Sequence, residues 1–315
     1  VDLGGTKLAV GLVDAAGSIV GESLSHDHAG LPEEAVLDRV CRNVDAALRG
    51  AGAGKGEVVG VGLLFPGHIR WPEGVTLTSS NLVGFKNFPI RKRLEELLGL
   101  PVLADNDANG QTLGEYRYGA GAGCEHMVFM TVSTGVGGGI VIDGRLYRGA
   151  TGTAGEFGHM IVDATGGQEC SCGNRGCLMG AASGIGLPNS ARRAAARLGA
   201  AGLRADLPAS CMDFDDIDGQ RLAAGFYEEN ELCRAVVEDF ARYIGIGLYN
   251  IFQTLNPRVI VLGGGLLNLP DFFFEEAARK CYELAGSMMY DRMDIRRGKL
   301  GQRAGVLGAA ALFEP

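Results

Sequence analysis

Apolar and small residues alternate from the start of the chain. Leu8, Val10 and Leu12 stand between Ala9, Gly11 and Val13, which predicts a strand over residues 8–14. Val1-Asp2-Leu3 and a Gly4-Gly5-Thr6-Lys7 turn precede it, and Ala15-Ala16-Gly17 turns into a third strand near residues 18–23. Helical spacing takes over at residues 31–48, where Val36, Val40, Val44 and Ala47 share a face, Pro32 sits in the first turn and Gly50 follows. Residues 58–65 form a continuous apolar run, read as a buried strand ended by Pro66-Gly67. Residues 72–84 read as a loop that contains Ser79-Ser80-Asn81. A helix over 90–98 ends at Gly99-Leu100-Pro101. A short strand over 102–104 then delivers Asp105-Asn106-Asp107 to a helix over 108–118.

The pattern then repeats. Residues 127–132 are apolar and run into Ser133-Thr134-Gly135-Val136-Gly137-Gly138-Gly139 and a further apolar run. This second strand–glycine turn–strand unit, like the one at Gly4-Gly5, predicts a duplicated architecture. Residues 183–232 read as helices and loops, with an acidic stretch at 213–218 as a solvated loop and helix start. A long helix covers 232–255, a buried strand runs from Pro257 into Gly263-Gly264-Gly265, and a final helix covers 305–313.

Composition narrows the function. The 315 residues fit two domains or one large one. A formal charge of −8 without a basic cluster argues against a nucleic-acid surface. No apolar run reaches membrane-spanning length, and scattered cysteines with no signal peptide point to a reducing, cytoplasmic setting. The 51 glycines gather in short motifs, as expected of backbone that approaches a ligand. Only Val1, Asp2 and Leu3 precede Gly4, so a strand is expected to start upstream of Val1.

Residues 151–177 carry the densest chemistry. Cys170, Cys172 and Cys177 lie within eight residues, and His159 stands eleven residues before Cys170. Three thiolates and an imidazole suit a closed tetrahedral zinc site; a disulfide or free thiols are the alternatives. Glu156 is either a ligand-facing carboxylate or a solvated one. A metal on one ring nitrogen of His159 leaves the other to face a substrate. Gly4-Gly5-Thr6-Lys7 offers N–H groups, a hydroxyl and an ammonium to phosphate oxygens, or is simply a hairpin turn. Asp107 suits a helix N-cap, yet three polar residues at a strand's carboxyl end also suit a ligand site. Gly263 to Gly265 either accept the adenosine part of a nucleotide or turn the strand into a helix.

Taken in order, these motifs resemble the ROK family of sugar kinases and sugar-responsive regulators. The resemblance spans nearly the whole chain. It rests on Asp2-Leu3-Gly4-Gly5-Thr6-Lys7, Asn106-Asp107-Ala108-Asn109, Thr134 through Gly139, Glu156-Phe157-Gly158-His159, the Cys170–Cys177 block and Asn256-Pro257 through Gly265. It implies an α/β, actin-like (ribonuclease-H-like) ATPase fold with two domains around a cleft. Residues 1–108 would form the small domain and 109–302 the large one with the zinc loop, the helix at 303–315 packing back on the first.

By the same resemblance, Asp107 is the base that takes the proton of the sugar hydroxyl. Asn106, Glu156 and His159 grip sugar hydroxyls, with Gly67, Ser80 and Asn81. Gly4, Gly5, Thr6, Lys7, Thr134, Gly135, Gly137, Gly138, Gly263 and Gly264 hold ATP, with Asp2 near Mg2+. His159, Cys170, Cys172 and Cys177 hold structural Zn2+. The expected reaction is ATP-dependent phosphorylation of a glucose-like hexose at its 6-hydroxyl, by a homodimer or higher homo-oligomer. The alternatives are an N-acylmannosamine or N-acetylglucosamine kinase, and a regulator lacking its DNA-binding domain. In one place the chain departs from the family: Met179 stands where the sugar kinases carry Glu after Cys177-Leu178. A thioether is a poor acceptor, which opens the sugar preference to N-acyl hexosamines, deoxy sugars or other epimers.

Overall fold

A computed structural model of the chain describes residues 1–79, 82, 84–202, 214, 217–288 and 293–313. The strands are β1 (Asp2–Leu3), β2 (Leu8–Val13), β3 (Ile19–Ser25), β4 (Val61–Phe65), β5 (His68–Arg70), β6 (Val75–Thr78), β7 (Val102–Asn106), β8 (Met127–Val132), β9 (Val136–Ile142), β10 (Arg145–Tyr147), β11 (Val259–Gly263) and β12 (Asp294–Arg297). The helices are α1 (Glu33–Ala51), α2 (Ile90–Leu98), α3 (Asp107–Tyr118), α4 (Leu178–Ala181), α5 (Leu187–Gly202), α6 (Gly219–Tyr227), α7 (Glu231–Leu255), α8 (Asp271–Ala285) and α9 (Ala304–Ala311).

Two compact units result. Unit 1 holds residues 1–127, 139–155 and 298–315; unit 2 holds 128–138 and 156–297. One sheet runs in the order β3-β2-β1-β4-β7 and the other in the order β10-β9-β8-β11-β12. Renumbered within each half, both read third, second, first, fourth, fifth, so the duplication expected from the two glycine turns is present in the strand order itself.

In unit 1, β1 pairs antiparallel with β2 and parallel with β4, and β4 pairs parallel with β7. Every residue of β4 is buried, as its unbroken apolar run demands. The apolar face of α1, built from Val36, Leu37, Val40, Val44, Ala47 and Leu48, joins the same core as Leu3, Leu8 and Leu63. The carboxyl-terminal helix α9 packs on α3 and β4 at backbone distance. A Cβ on Gly308 would strike the Gly110 carbonyl, and one on Gly62 would strike Ala309. In unit 2, β11 is buried along its length and pairs parallel with β12, and α7 buries fifteen residues. The acidic stretch at 213–218 falls mostly outside the described residues; its last residue, Asp218, caps α6 by accepting the Arg221 N–H.

Candidate active site

The parallel strands β1, β4 and β7 end along one edge of the first sheet, with Asp2 opposite Leu64 and Phe65 opposite Asn106. That register sets Asn106 beside Gly67, whose carbonyl accepts the Asn106 side-chain N–H at 3.2 Å. Asn106 is the last extended residue, with φ −64° and ψ 148°, and its Oδ1 accepts the N–H groups of Ala108 and Asn109 at 2.9 and 3.1 Å. Asn106 is therefore the helix cap, which corrects the expectation for Asp107. Asp107 is already helical, and the cap belongs to the residue before it.

Relieved of capping, the Asp107 carboxylate is clamped by one oxygen. Its Oδ1 accepts the Ala108 N–H and the Asn106 amide, each at 2.9 Å. No other described residue donates a hydrogen bond to its second oxygen. Burial, and secondarily the negative charge of Asp2, push the Asp107 carboxyl up to about 6 against those hydrogen bonds. The carboxylate is thus ionised at neutral pH and more basic than a solvated one.

The Gly4–Lys7 turn is closed by the Gly4 N–H donating to the Lys7 carbonyl at 2.8 Å. Lys7 Nζ reaches Gln302 Oε1 at 3.4 Å. Burial also pushes the Asp2 carboxyl up, and a Cβ on Gly305 would collide with that carboxylate. Below the turn lies His28, a residue that sequence reasoning missed. Its side chain is fully buried, and Nε2 donates to the Gly4 carbonyl at 2.8 Å. A carbonyl only accepts, so the proton is assigned to Nε2. No motif announces His28, because it reaches the turn from a loop 24 residues away.

In unit 2 the residues after Glu156 fold a second cluster. Ile161 bridges Cys177 and Glu169 bridges Arg175, making a narrow ribbon that carries the cysteines back to His159. Gly173 and Gly176 take φ of +87° and +79° at its tip, a conformation that only residues without Cβ adopt readily. His159, Cys170, Cys172 and Cys177 each point one donor atom inward, and all four atoms lie within 4.8 Å of one another. Cys172 and Cys177 sulfurs are 3.7 Å apart, and Cys170 Sγ is 3.6 Å from His159 Nδ1. The edges of a zinc tetrahedron, from Zn–S of about 2.3 Å and Zn–N of about 2.1 Å, come to about 3.8 Å and 3.6 Å. A disulfide needs about 2.05 Å, and all three thiols are free. With Nδ1 turned to the cysteines, His159 Nε2 faces Glu156 Oε2 at 3.9 Å.

The second glycine turn follows β8. Ser133 and Thr134, from that turn, line a cavity of about 850 Å³ with Gly184, Asp218, Gly265 and Asn268. Gly263 and Gly264 lie behind it: a Cβ on the first would strike the Phe129 ring, and one on the second the Val132 backbone. Gly138 is constrained likewise, by Phe129 and Phe157. Gly135 keeps more room; a Cβ there would lie 3.5 Å from the Met179 methyl, and one on Gly158 would lie 3.0 Å from it. Met179 therefore packs between the phosphate-type turn and the Glu156–His159 segment. Ser80 and Asn81 lie outside the described residues.

The sequence profile of the ROK family matches residues 1–315. The chain belongs to the ROK family. A glucokinase of Halalkalibacterium halodurans is 32% identical over 322 residues, covering 100% of this chain and 94% of that protein. A ROK hexokinase from Thermus thermophilus superposes with a TM-score of 0.82 at 34% identity, over 98% of this chain and 95% of the other. A ROK family glucokinase from Streptomyces griseus, solved in complex with glucose and AMPPNP, gives 0.81 at 30% identity over 99% and 97%. The paired five-stranded sheets of this ROK protein are those of the actin-like ATPase fold. Among its described residues no helix is long and apolar enough to cross a membrane.

Proposed function

We propose that this ROK protein transfers the γ-phosphoryl group of ATP to the 6-hydroxyl of a glucose-like hexose. The observation that carries the reading is Asp107: a carboxylate at a strand end, held by one oxygen, with its basicity raised, in a chain whose relatives include glucokinases. The sugar O–H proton passes to the unclamped Asp107 oxygen as that hydroxyl bonds to phosphorus. The bond from phosphorus to the β-phosphate oxygen breaks, and ADP leaves. Such a loosely bonded transition state needs alignment and charge more than a strong base, so a carboxylate of this basicity suffices.

In unit 1, the Gly4–Lys7 turn suits phosphate oxygens and Asn106 suits a sugar hydroxyl. In unit 2, the Thr134 turn and the 850 Å³ cavity suit a nucleotide, Glu156 can accept from a sugar hydroxyl, and His159 Nε2–H can donate to one. Asp2, a half-buried carboxylate with elevated basicity, fits a cation. Mg2+ there would shield phosphate charge. The donor set and edge lengths around His159 fit Zn2+, which would fix the ring so that Nε2 faces the sugar. Free thiols at Cys41, Cys170, Cys172, Cys177 and Cys281 fit a reducing, cytoplasmic setting. A homo-oligomer is expected on sizing with light scattering.

A coupled ADP-release assay across hexoses and N-acetylhexosamines tests the reading; no sugar-dependent ADP release from any of them would sink it. Activity should fall as pH drops through about 6, because a base works only when ionised and Asp107 takes up its proton there. A pH–rate profile for kcat with no acid limb between pH 5 and 7, a window of about one unit either side, would remove Asp107 from that role.

Met179 favours a second reading, an N-acyl hexosamine kinase, because it sets a methyl group beside Gly158 in place of an acceptor. Met179→Glu is expected to raise kcat/KM for glucose relative to N-acetylhexosamines about tenfold, the worth of one charge-assisted hydrogen bond. A uniform loss on every sugar would mean that the acceptor is already supplied elsewhere.

A further inference from the structure

Asp105, two residues before the proposed base, belongs to none of the motifs assigned above. Its side chain is buried, and all four of its hydrogen bonds are made within unit 1. Oδ1 accepts the N–H of Asn106 at 2.8 Å and the side-chain amide of Asn109 at 3.0 Å. Oδ2 accepts Nε and Nη2 of Arg148, each at 2.8 Å. The arginine is itself fixed: its guanidinium lies 3.8 Å over the Trp71 ring, and its carbonyl accepts the Ala154 N–H at 3.1 Å. The same carboxylate thus grips Asn106, whose amide clamps Asp107, and Asn109, one turn into α3. It ties down both sides of the bend that presents Asp107.

We propose that Arg148 is a positioning residue for Asp107, acting through Asp105 on the β7–α3 bend. The proposal rests on Asp107 being the base. A buried carboxylate tolerates burial only when paired. Arg148 supplies the pair with Nε and Nη2 converging on Oδ2, while Oδ1 is left to Asn106 and Asn109, and stacking on Trp71 holds the two nitrogens in place. Lysine offers a single nitrogen and no planar group to stack. With Arg148 gone, Asp105 must find water or turn, and Asn106 and Asn109 lose a fixed acceptor. Asp107 then swings by a fraction of an ångström, enough to disturb in-line transfer without unmaking either ligand site.

The test is a double-mutant cycle on the full chain, with sugar and ATP kinetics and Tm for each protein. Arg148→Met should lower kcat by about 10- to 100-fold, the cost of a misplaced reacting group, and leave KM for ATP within about threefold. Arg148→Lys should fall between it and wild type. In the Arg148→Met/Asp105→Asn double variant no buried charge is left unpaired, and Asn still accepts from the Asn106 N–H. It should recover at least about threefold of kcat over Arg148→Met, a coupling of the size seen for contacting residues. A general loss of structure predicts the reverse: lower Tm, less active enzyme, KM changed with kcat, and a double variant worse than either single one. That result overturns the proposal, as does Arg148→Met with wild-type kcat. Should Arg148→Met not fold, Arg148→Lys and Asp105→Asn carry the same comparison, and a wild-type kcat in both overturns it. Asp107→Asn is run alongside: if it stays active the base assignment has failed, whereas an inactive Asp107→Asn with unaffected Arg148 variants isolates the failure to Arg148.

Discussion

Asp107→Asn is expected to lower kcat by 10²- to 10⁴-fold, the usual contribution of a general base, while leaving KM for the sugar within about threefold. The two contacts that orient the side chain survive the change. An Asn Oδ1 still accepts the Ala108 N–H and the Asn106 amide, so the residue keeps its place at the end of β7. What is lost is the lone pair on the unclamped oxygen, replaced by an NH2 group that cannot take a proton. The fold should not suffer. A carboxyl whose folded pKa is raised, here to about 6, opposes folding once pH exceeds its unfolded value, because the ionised form is the one burial penalises. Removing that charge should leave Tm at pH 7.5 unchanged or higher. A variant that keeps more than about a tenth of wild-type kcat would falsify the assignment, since that loss is below the range of a base. A variant that is inactive and also lower in Tm would point to structure instead.

The parts of this site that were legible in the sequence are those built from neighbours in the chain. Cys170, Cys172, Cys177 and His159 are close enough in the chain for one ribbon to gather their donor atoms within 4.8 Å of one another. The glycine turns announce themselves because they interrupt apolar runs, and the duplicated strand order follows from finding two of them. Asp107 was readable as a candidate functional residue, but not as standing one residue past the cap. Asn106 and Asp107 are both good caps, and only the backbone angles show where extension stops. Arg148 lies 43 residues from the Asp105 it holds, and His28 lies 24 from Gly4. Neither pairing has a local pattern, because each joins a strand or turn to a residue in a loop that only the tertiary fold brings near it. The glycines taught the opposite lesson. Gly138, Gly263 and Gly264 match a nucleotide motif, yet each is also required by a neighbour that a Cβ would strike.

Removing the proposed metal ligand Cys172 is expected to give the second-largest effect, and through stability first. Wild-type protein purified without chelator should carry about one zinc per chain, as a single four-ligand site implies. Cys172 is exposed at the tip of the ribbon, and the Asn174 N–H holds its thiol below the ordinary value, which favours the thiolate that a metal needs. Cys172→Ser should lose the metal and release the link between the ribbon and His159. Because metal-binding free energy is folding free energy, the metal-free variant should melt at a lower Tm than wild type. Sugar binding should weaken with it. Without metal on Nδ1, His159 is free to rotate and to change tautomer, so Nε2 no longer faces the sugar reliably beside Glu156. The expected loss in kcat/KM for the sugar is about 10- to 100-fold, the range for disturbed outer-shell partners, with KM for ATP little changed. That asymmetry separates a site that orients His159 from one that merely holds the loop. Equal losses for sugar and nucleotide would show a general loosening of the chain, and metal-free protein with wild-type Tm and sugar kinetics would show that the four donors do not hold zinc in the working enzyme.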